Sequence, residues 1–166
     1  MHSAGDVRLT EPIVFLDFDG PMIPTRAMLL PENRSGGYQR CPRFDPCGAH
    51  LVNILLARTK ANLVISSTWR IRSRPVIEAI LAHNNIDPNL LHTDWDTPRL
   101  FQRSRLQEIM AWITVHSEVT HWVALDDDDS IRNHPNGVHM GMDDGFLMAH
   151  YFKATALLGF PEKIVL

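Results

Sequence analysis

The segment Ile13-Val-Phe-Leu-Asp-Phe-Asp-Gly20 joins an uninterrupted apolar run to two acids and a glycine. A short apolar run of this kind is typical of a buried parallel strand, which predicts a strand over Ile13–Leu16. Asp17 and Asp19 would then project from the same strand-to-loop junction. Gly20 allows the backbone to turn sharply close to a ligand. The segment therefore predicts two carboxylates that act on one centre at the carboxyl end of a strand.

Strands and helices alternate through the rest of the chain. Apolar runs, prolines and capping signals predict strands over 62–65 and 122–125 and helices over 46–59, 75–84, 105–113 and 146–158, with an unassigned apolar piece at 90–91. This alternation predicts an α/β fold, a parallel sheet with helices on both faces. Such sheets bind ligands at the carboxyl ends of their strands. There Ser66 and Asp126 are expected to join Asp17.

Length and charge limit the function classes. A chain of 166 residues has room for one domain over 1–166, with residues 21–47 as a flap rich in Pro, Gly, Arg and Asn. A formal charge of -3 argues against binding nucleic acid or membrane through the charge of the whole protein, although a local basic patch stays open. No segment approaches the ~20 apolar residues of a membrane span, and no signal peptide is recognised. We expect a cytoplasmic protein with no membrane partner.

Thirteen of the sixteen basic residues are arginine, the side chain best shaped for phosphate contacts, although biased codon usage would give the same excess. Cys41 and Cys47 match no zinc-binding spacing and are interpreted as ordinary loop thiols. Trp112 and Trp122 lie in apolar periodic segments and are expected in the core. Trp69 and Trp95 lie in predicted loops and are candidate platforms for stacking on a base.

The two acids of the first segment suit phosphoryl transfer. A carboxylate can attack phosphorus to form an aspartyl-phosphate, and an acid two residues later can protonate the leaving oxygen and then activate water. In this hypothesis Asp17 is the nucleophile and Asp19 is the general acid and base. The alternative without catalysis is that Asp-x-Asp-Gly forms only a turn or a Ca²⁺-binding loop.

An anionic nucleophile approaches an anionic phosphate only if cations offset the repulsion, and Mg²⁺ held by carboxylates is the usual solution. Asp126 and Asp127, directly after a predicted strand, are the expected Mg²⁺ ligands; which of them binds the metal directly is left open. A basic residue near the start of the helix at 105 would balance the remaining charge. Arg105 is preferred and Arg103 is the alternative.

The phosphoryl oxygens also need hydrogen-bond donors. Ser66 is the first residue after its strand and is predicted to donate to a phosphoryl oxygen, although a capping role is the alternative. Ser67, Gly20 and Arg70 are predicted as further substrate contacts. The alternative for Arg70 is a place in a solvated run of arginines.

Taken together, these pieces resemble the haloacid dehalogenase (HAD) superfamily, whose four motifs match in order Asp17-Phe-Asp19-Gly20, Ser66, a basic residue and Asp126-Asp127. More narrowly, four stretches resemble the small HAD domains found alone or in bacterial and phage RNA-repair proteins. These are Val64-Ile-Ser-Ser-Thr-Trp-Arg70, Thr97-Pro98, Arg105-x-x-Glu108-Ile109-x-x-Trp112-Ile113 and Val123-Ala-Leu-Asp-Asp127. Two departures are Pro21-Met22 after the first motif and Arg in place of the common Lys in the third.

The resemblance implies a Rossmann-like fold with a minimal cap and phosphatase activity. It also implies a metal held by Asp17, the main-chain carbonyl of Asp19 and an acid of the fourth motif. A small flap leaves an open site, so a nucleotide or nucleic-acid-end phosphate is the first substrate expected; a small metabolite or a phosphoprotein is the alternative. No oligomeric state or capping partner is indicated.

A module that binds without turnover, such as a receiver domain that stores phosphate on Asp, is the rival hypothesis. A receiver would carry an acidic pair at its first strand and its acceptor Asp on a middle strand. Here Asp-x-Asp comes first and the acidic pair comes late, an order that favours an enzyme.

Overall fold

The computed structural model describes residues 10–34 and 41–162. Its five strands are β1 (Ile13–Leu16), β2 (Asn62–Ile65), β3 (Leu91–Asp96), β4 (Trp122–Asp126) and β5 (Gly137–His139). They form one parallel sheet in the order β3-β2-β1-β4-β5, so the segment that carries Asp17 is the central strand. The α/β, Rossmann-like fold expected from the sequence is confirmed.

The described residues form five α-helices. Helices α1 (Thr25–Met28) and α2 (Pro46–Thr59) lie between β1 and β2, α3 (Arg74–His83) lies between β2 and β3, α4 (Arg105–Val115) lies between β3 and β4, and α5 (Met148–Leu157) follows β5. Helix α2 begins where the Asp45 side chain accepts a hydrogen bond from the Gly48 N–H, and it ends at Lys60 in the left-handed conformation. Helix α4 begins with the predicted capping box, in which Ser104 and Gln107 satisfy each other's backbone N–H groups.

The two faces of the sheet bury alternate residues of each strand. Val14 and Leu16 of β1 join the cluster that contains the buried side chains of α2, α3 and α5. Phe15 points the other way, into a second cluster with Ile109 and Trp112 of α4. Phe15 meets the edge of the Trp112 ring at a centroid distance of 5.3 Å. Helices therefore cover both faces, as predicted.

Four sequence-based assignments differ from the structure. The apolar piece at 90–91 opens β3, and β5 was not predicted at all. The flap at 21–47 contains α1 and a short 3₁₀ turn (Pro31–Asn33), and its residues 35–40 lie outside the described part. The last helix begins at Met148 and not at 146, because residues 146–147 still lead into it.

The single-domain boundaries, the cysteines and the absence of a membrane span were also predicted from the sequence. Residues 1–9 and 163–166 of the predicted single domain lie outside the described ranges. Cys41 and Cys47 are free and exposed, but Cys47 lies in α2 and not in a loop. No helix within residues 10–34 and 41–162 has the length and apolar character needed to cross a membrane.

Candidate active site

Strand register brings the predicted site residues to one edge of the sheet. Leu16, the last residue of β1, pairs with Ile65 on one side and with Leu125 on the other. The following residues, Asp17, Ser66 and Asp126, therefore emerge side by side. The Asp17 N–H donates to the Leu125 carbonyl at 3.1 Å, and the Ser66 N–H donates to the Leu16 carbonyl at 3.1 Å.

Three carboxylates cluster at this edge. Asp17, Asp126 and Asp127 each offer one oxygen, and these oxygens lie within 4.8 Å of one another. Asp17 is 4% exposed and Asp126 is 0% exposed. Burial, followed by the charge of Asp126, raises the pKa of Asp17 well above its usual value. Burial likewise raises the pKa of Asp126 to about 6 and raises the pKa of Asp127.

This donor set fits a hard divalent cation such as Mg²⁺, because it consists of carboxylate oxygens that are costly to keep charged without one. Asp126 Oδ1 accepts a hydrogen bond from the Asp128 N–H at 3.0 Å, whereas Oδ2 is buried and has no aligned hydrogen-bond donor among the described residues. Asp19 does not join the cluster through its side chain. The metal contact expected for Asp19 was through its main-chain carbonyl, and that contact stays a prediction.

Metal binding should stabilise the protein more at neutral than at acid pH. A carboxyl whose pKa is raised on folding stabilises the fold below its unfolded pKa, and this contribution is lost as the pH rises through the folded pKa. For Asp126 that window runs from about pH 4 to about pH 6. As the pH rises through this window the repulsion among the carboxylates grows, and bound Mg²⁺ would offset that repulsion, whereas at pH 5 protons compete with the metal.

We expect Mg²⁺ about 100-fold above its Kd to raise Tm by roughly 5–10 °C at about pH 7.5, and by clearly less at about pH 5. Thermal unfolding with Mg²⁺ and with EDTA measures this difference. Asp127→Asn should lose most of the Mg²⁺-induced increase. An equal increase at both pH values would contradict the carboxylate cluster as the metal site.

Gly20 is required where the chain passes this cluster. Its φ of +89° lies in the region that favours glycine, and an added Cβ would lie 2.7 Å from Asp127 Cγ. The absence of a side chain at Gly20 therefore lets the Asp127 carboxylate reach the site. The predicted contact of Gly20 with substrate stays a prediction beside this packing role.

Gly20→Ala should weaken Mg²⁺ binding by displacing Asp127, and should also destabilise the fold by about 1–2 kcal/mol through its positive φ. Gly159→Ala is a matched control, since Gly159 has a φ of +87° but an added Cβ there would meet, among the described residues, only His121, at 3.6 Å. Both variants should unfold more easily because of the positive φ, and Gly20→Ala should unfold more easily still because its Cβ also clashes with Asp127. Isothermal titration should detect weaker Mg²⁺ binding in Gly20→Ala alone; equal weakening in both would rule out the displacement of Asp127.

The two serines after β2 lie deep in the site. The Ser67 hydroxyl hydrogen-bonds to the Asp17 carboxylate and lowers its pKa, against the effect of burial. Ser66 is fully buried, and its Oγ has no hydrogen-bond partner among the described residues. A buried hydroxyl without a partner is costly, so an incoming oxygen acceptor would be favoured there. The geometry is compatible with the predicted roles of both residues.

Arg105 places a positive charge beside the carboxylate cluster. Its Nε lies 3.1 Å from Asp126 Oδ2, an ion-pair contact whose atoms are not aligned for a hydrogen bond. Its charge also opposes the rise in the pKa of Asp17. Arg103 is exposed. Of the two arginines left open by the sequence, the geometry favours Arg105.

Arg70 is placed differently from its predicted role as a substrate contact. It is 5% exposed, and its guanidinium donates to the carbonyls of Ser66 (2.7 Å), Ser67 (2.8 Å) and Thr97 (3.0 Å). Its remaining nitrogen, Nη2, donates to Glu108 Oε2 at 2.6 Å. These bonds favour a positioning role, in which Arg70 fixes the backbone of Ser66 and Ser67, the serine loop.

Glu108 is the residue that sequence reasoning did not assign to the site. One carboxylate oxygen of Glu108 meets both Arg70 and Arg105, the latter at 3.4 Å. A buried chain of charges thus runs from the serine loop through Glu108 to Arg105 and Asp126. The available signal was the spacing Arg105-x-x-Glu108, which puts the two side chains on one face of a helix.

Trp69 is not a stacking platform, because it is 1% exposed. It packs in the main core, the cluster that contains the buried side chains of α2, α3 and α5. Its indole Nε1–H donates to Asp19 Oδ2 at 3.0 Å and so orients that carboxylate. Trp95 is half-buried and also packs against the main core. Trp112 and Trp122 lie in the second core cluster, as predicted.

Comparison with known proteins identifies one family. The model for the HAD domain in Swiss Army Knife RNA repair proteins matches residues 13–151, which include every strand and all of the site described above. No curated protein and no solved structure matches the chain. The resemblance to small HAD domains of RNA-repair proteins is confirmed, and the chain belongs to the family of HAD domains in Swiss Army Knife RNA repair proteins.

Proposed function

We propose that this protein is a Mg²⁺-dependent phosphomonoester hydrolase that works through an aspartyl-phosphate on Asp17. The observation that carries the proposal is the cluster of Asp17 with Asp126 and Asp127, flanked by Arg105 at the start of α4. A site with three carboxylates and one arginine suits an anionic substrate only if a cation is also bound. Bound Mg²⁺ would supply the positive charge that offsets repulsion between the phosphate and these acids.

In the first step an Asp17 carboxylate oxygen forms a bond to phosphorus while the bond from phosphorus to the leaving oxygen breaks. The Phe18 N–H donates to Asp17 Oδ1 at 2.9 Å and holds the carboxylate in place. Asp19, protonated, gives its proton to the leaving oxygen. Arg105 balances the negative charge of the pentacoordinate phosphorus, and Ser66 or Ser67 donates a hydroxyl proton to a phosphoryl oxygen.

In the second step Asp19 takes a proton from water, whose oxygen attacks phosphorus. The bond between phosphorus and Asp17 breaks, which releases phosphate and restores both acids. The position of Asp19 suits this double role. Trp69 fixes its carboxylate, and a backbone bridge to Ile23 holds the turn that follows β1.

A nucleotide or nucleic-acid-end phosphate is the proposed substrate class. Its support is membership in a family named for RNA repair, together with a flap that lacks the size of a cap domain. A small metabolite and a phosphoprotein are the other outcomes of the experiment below.

Phosphate release by the wild-type protein tests the proposal. The panel consists of p-nitrophenyl phosphate, mononucleotides, 3′- and 5′-phosphorylated oligonucleotides and a phosphopeptide, each with Mg²⁺ and with EDTA. We expect release that depends on Mg²⁺ and is fastest with the nucleotide or oligonucleotide substrates. If nothing is released although Mg²⁺ raises Tm, catalysis is refuted for this panel and the binding module becomes the better hypothesis.

A further inference from the structure

A six-residue loop beside the site combines exposed arginines with an exposed aromatic ring. The loop Pro-Arg-Leu-Phe-Gln-Arg, residues 98–103, connects β3 to α4 and carries two positive charges and no acid, in a chain whose formal charge is -3. Phe101 is 88% exposed. Arg99 and Arg103, two residues to either side of it, are exposed as well. Among the described residues, Phe101 joins neither of the two core clusters, so packing within the fold does not explain its exposed ring.

Both ends of this loop are tied to the candidate active site. Before the loop, the Thr97 N–H donates to the Ile65 carbonyl at 3.1 Å, and the Thr97 carbonyl accepts from Arg70. After the loop, Arg105 pairs with Asp126. The loop therefore borders the carboxylate cluster.

Hydrogen bonds also fix the backbone of the loop. The Leu100 N–H donates to Glu108 Oε1 at 3.1 Å, and the Arg103 N–H donates to the Leu100 carbonyl at 3.2 Å. Gln102, with a φ of +55°, completes the turn. A fixed backbone that presents exposed side chains is a preorganised binding surface, which lowers the entropic cost of binding.

We propose that loop 98–103 binds the single-stranded nucleic acid that leads to the scissile phosphate; this inference rests on the proposed phosphatase function. Phe101 stacks on a base, and Arg99 and Arg103 contact backbone phosphates on either side of it. Alternation of a flat ring with cations matches the alternation of bases and phosphates along a strand. A phosphopeptide has no regular row of phosphates to meet both arginines.

The test compares Phe101→Ala with wild type on a phosphorylated single-stranded oligonucleotide and on p-nitrophenyl phosphate. We expect kcat/KM on the oligonucleotide to fall about 5- to 100-fold, and kcat/KM on p-nitrophenyl phosphate to stay within about twofold. Phe160→Ala is the matched control, because Phe160 is a phenylalanine that is 39% exposed and follows α5, on the opposite face of the sheet from α4. Equal values for wild type and Phe101→Ala on the oligonucleotide, or an equal fall on both substrates, would overturn the inference.

Binding without turnover separates this inference from the proposed function. Fluorescence anisotropy measures the binding constant of the oligonucleotide for Asp17→Asn protein at several salt concentrations. In a plot of the logarithm of this constant against the logarithm of the salt concentration, Arg99→Ala and Arg103→Ala should each make the slope shallower by roughly 0.7. Arg58→Ala, at the far end of α2, should leave the slope unchanged. If wild type releases no phosphate, the proposed function fails while this binding result still decides the role of the loop. Binding of a phosphopeptide that depends on Phe101, without binding of the oligonucleotide, would overturn it.

Discussion

Asp17→Asn should lower kcat for phosphate release by a factor on the order of 10⁴ to 10⁶, the loss typical when an enzyme's nucleophile is removed. The amide keeps the size of the side chain but cannot form the acyl-phosphate. The fold should survive, because Asp17 is 4% exposed and its pKa is raised by burial and by the charge of Asp126. Removing its charge therefore relieves repulsion, and the metal-free variant should be at least as stable as wild type.

Two measurements check this expectation together. Acid-quenched wild-type protein should retain radiolabelled phosphate from a substrate such as acetyl phosphate or a labelled oligonucleotide, and Asp17→Asn should retain none. Thermal unfolding in EDTA should give Asp17→Asn a Tm equal to or above that of wild type. Substantial residual turnover by a well-folded Asp17→Asn protein would mean that another group attacks phosphorus.

Asp19→Asn should have the next largest effect, and its size should depend on the leaving group. General acid catalysis contributes about 10²- to 10⁴-fold, and it is needed most when the leaving oxygen is that of a sugar alcohol. The p-nitrophenolate ion leaves without a proton. We therefore expect the first step to slow far more with a nucleotide substrate than with p-nitrophenyl phosphate.

Pre-steady-state kinetics with substrate in excess over enzyme separate the two steps for this variant. With p-nitrophenyl phosphate, Asp19→Asn should release one equivalent of p-nitrophenol quickly and then stall, since no base activates the water. Trp69→Phe is a useful companion, because it keeps the buried ring and removes the indole N–H that orients Asp19. It should show a smaller loss with the same dependence on the leaving group. Equal losses in the rate of the first step on both substrates would argue against proton transfer by Asp19.

The predicted and observed strands differ according to their place in the sheet. β1, β2 and β4 were predicted because their neighbours cover them on both sides, so their sequences are nearly continuous apolar runs. β3 and β5 lie at the two edges. An edge strand buries fewer of its side chains, and β5 has only three residues, so neither has a strong pattern of its own. Helices α2 and α4 were predicted well because proline and capping residues act locally.

The sequence by itself determined the order of the reacting groups and the type of fold, since apolar runs followed by acids report local burial and local chemistry. Only the tertiary structure decided how those groups are supported: that Arg70 holds the serine loop, that Glu108 joins Arg70 to Arg105, and that Trp69 orients Asp19. The contacts of Glu108 with Arg70 and of Trp69 with Asp19 join residues from different elements. The contacts of Arg70 with Ser67 and of Arg105 with Glu108 are local. A side chain's partner across the fold is set by strand register and helix packing, and these depend on the burial of the whole core.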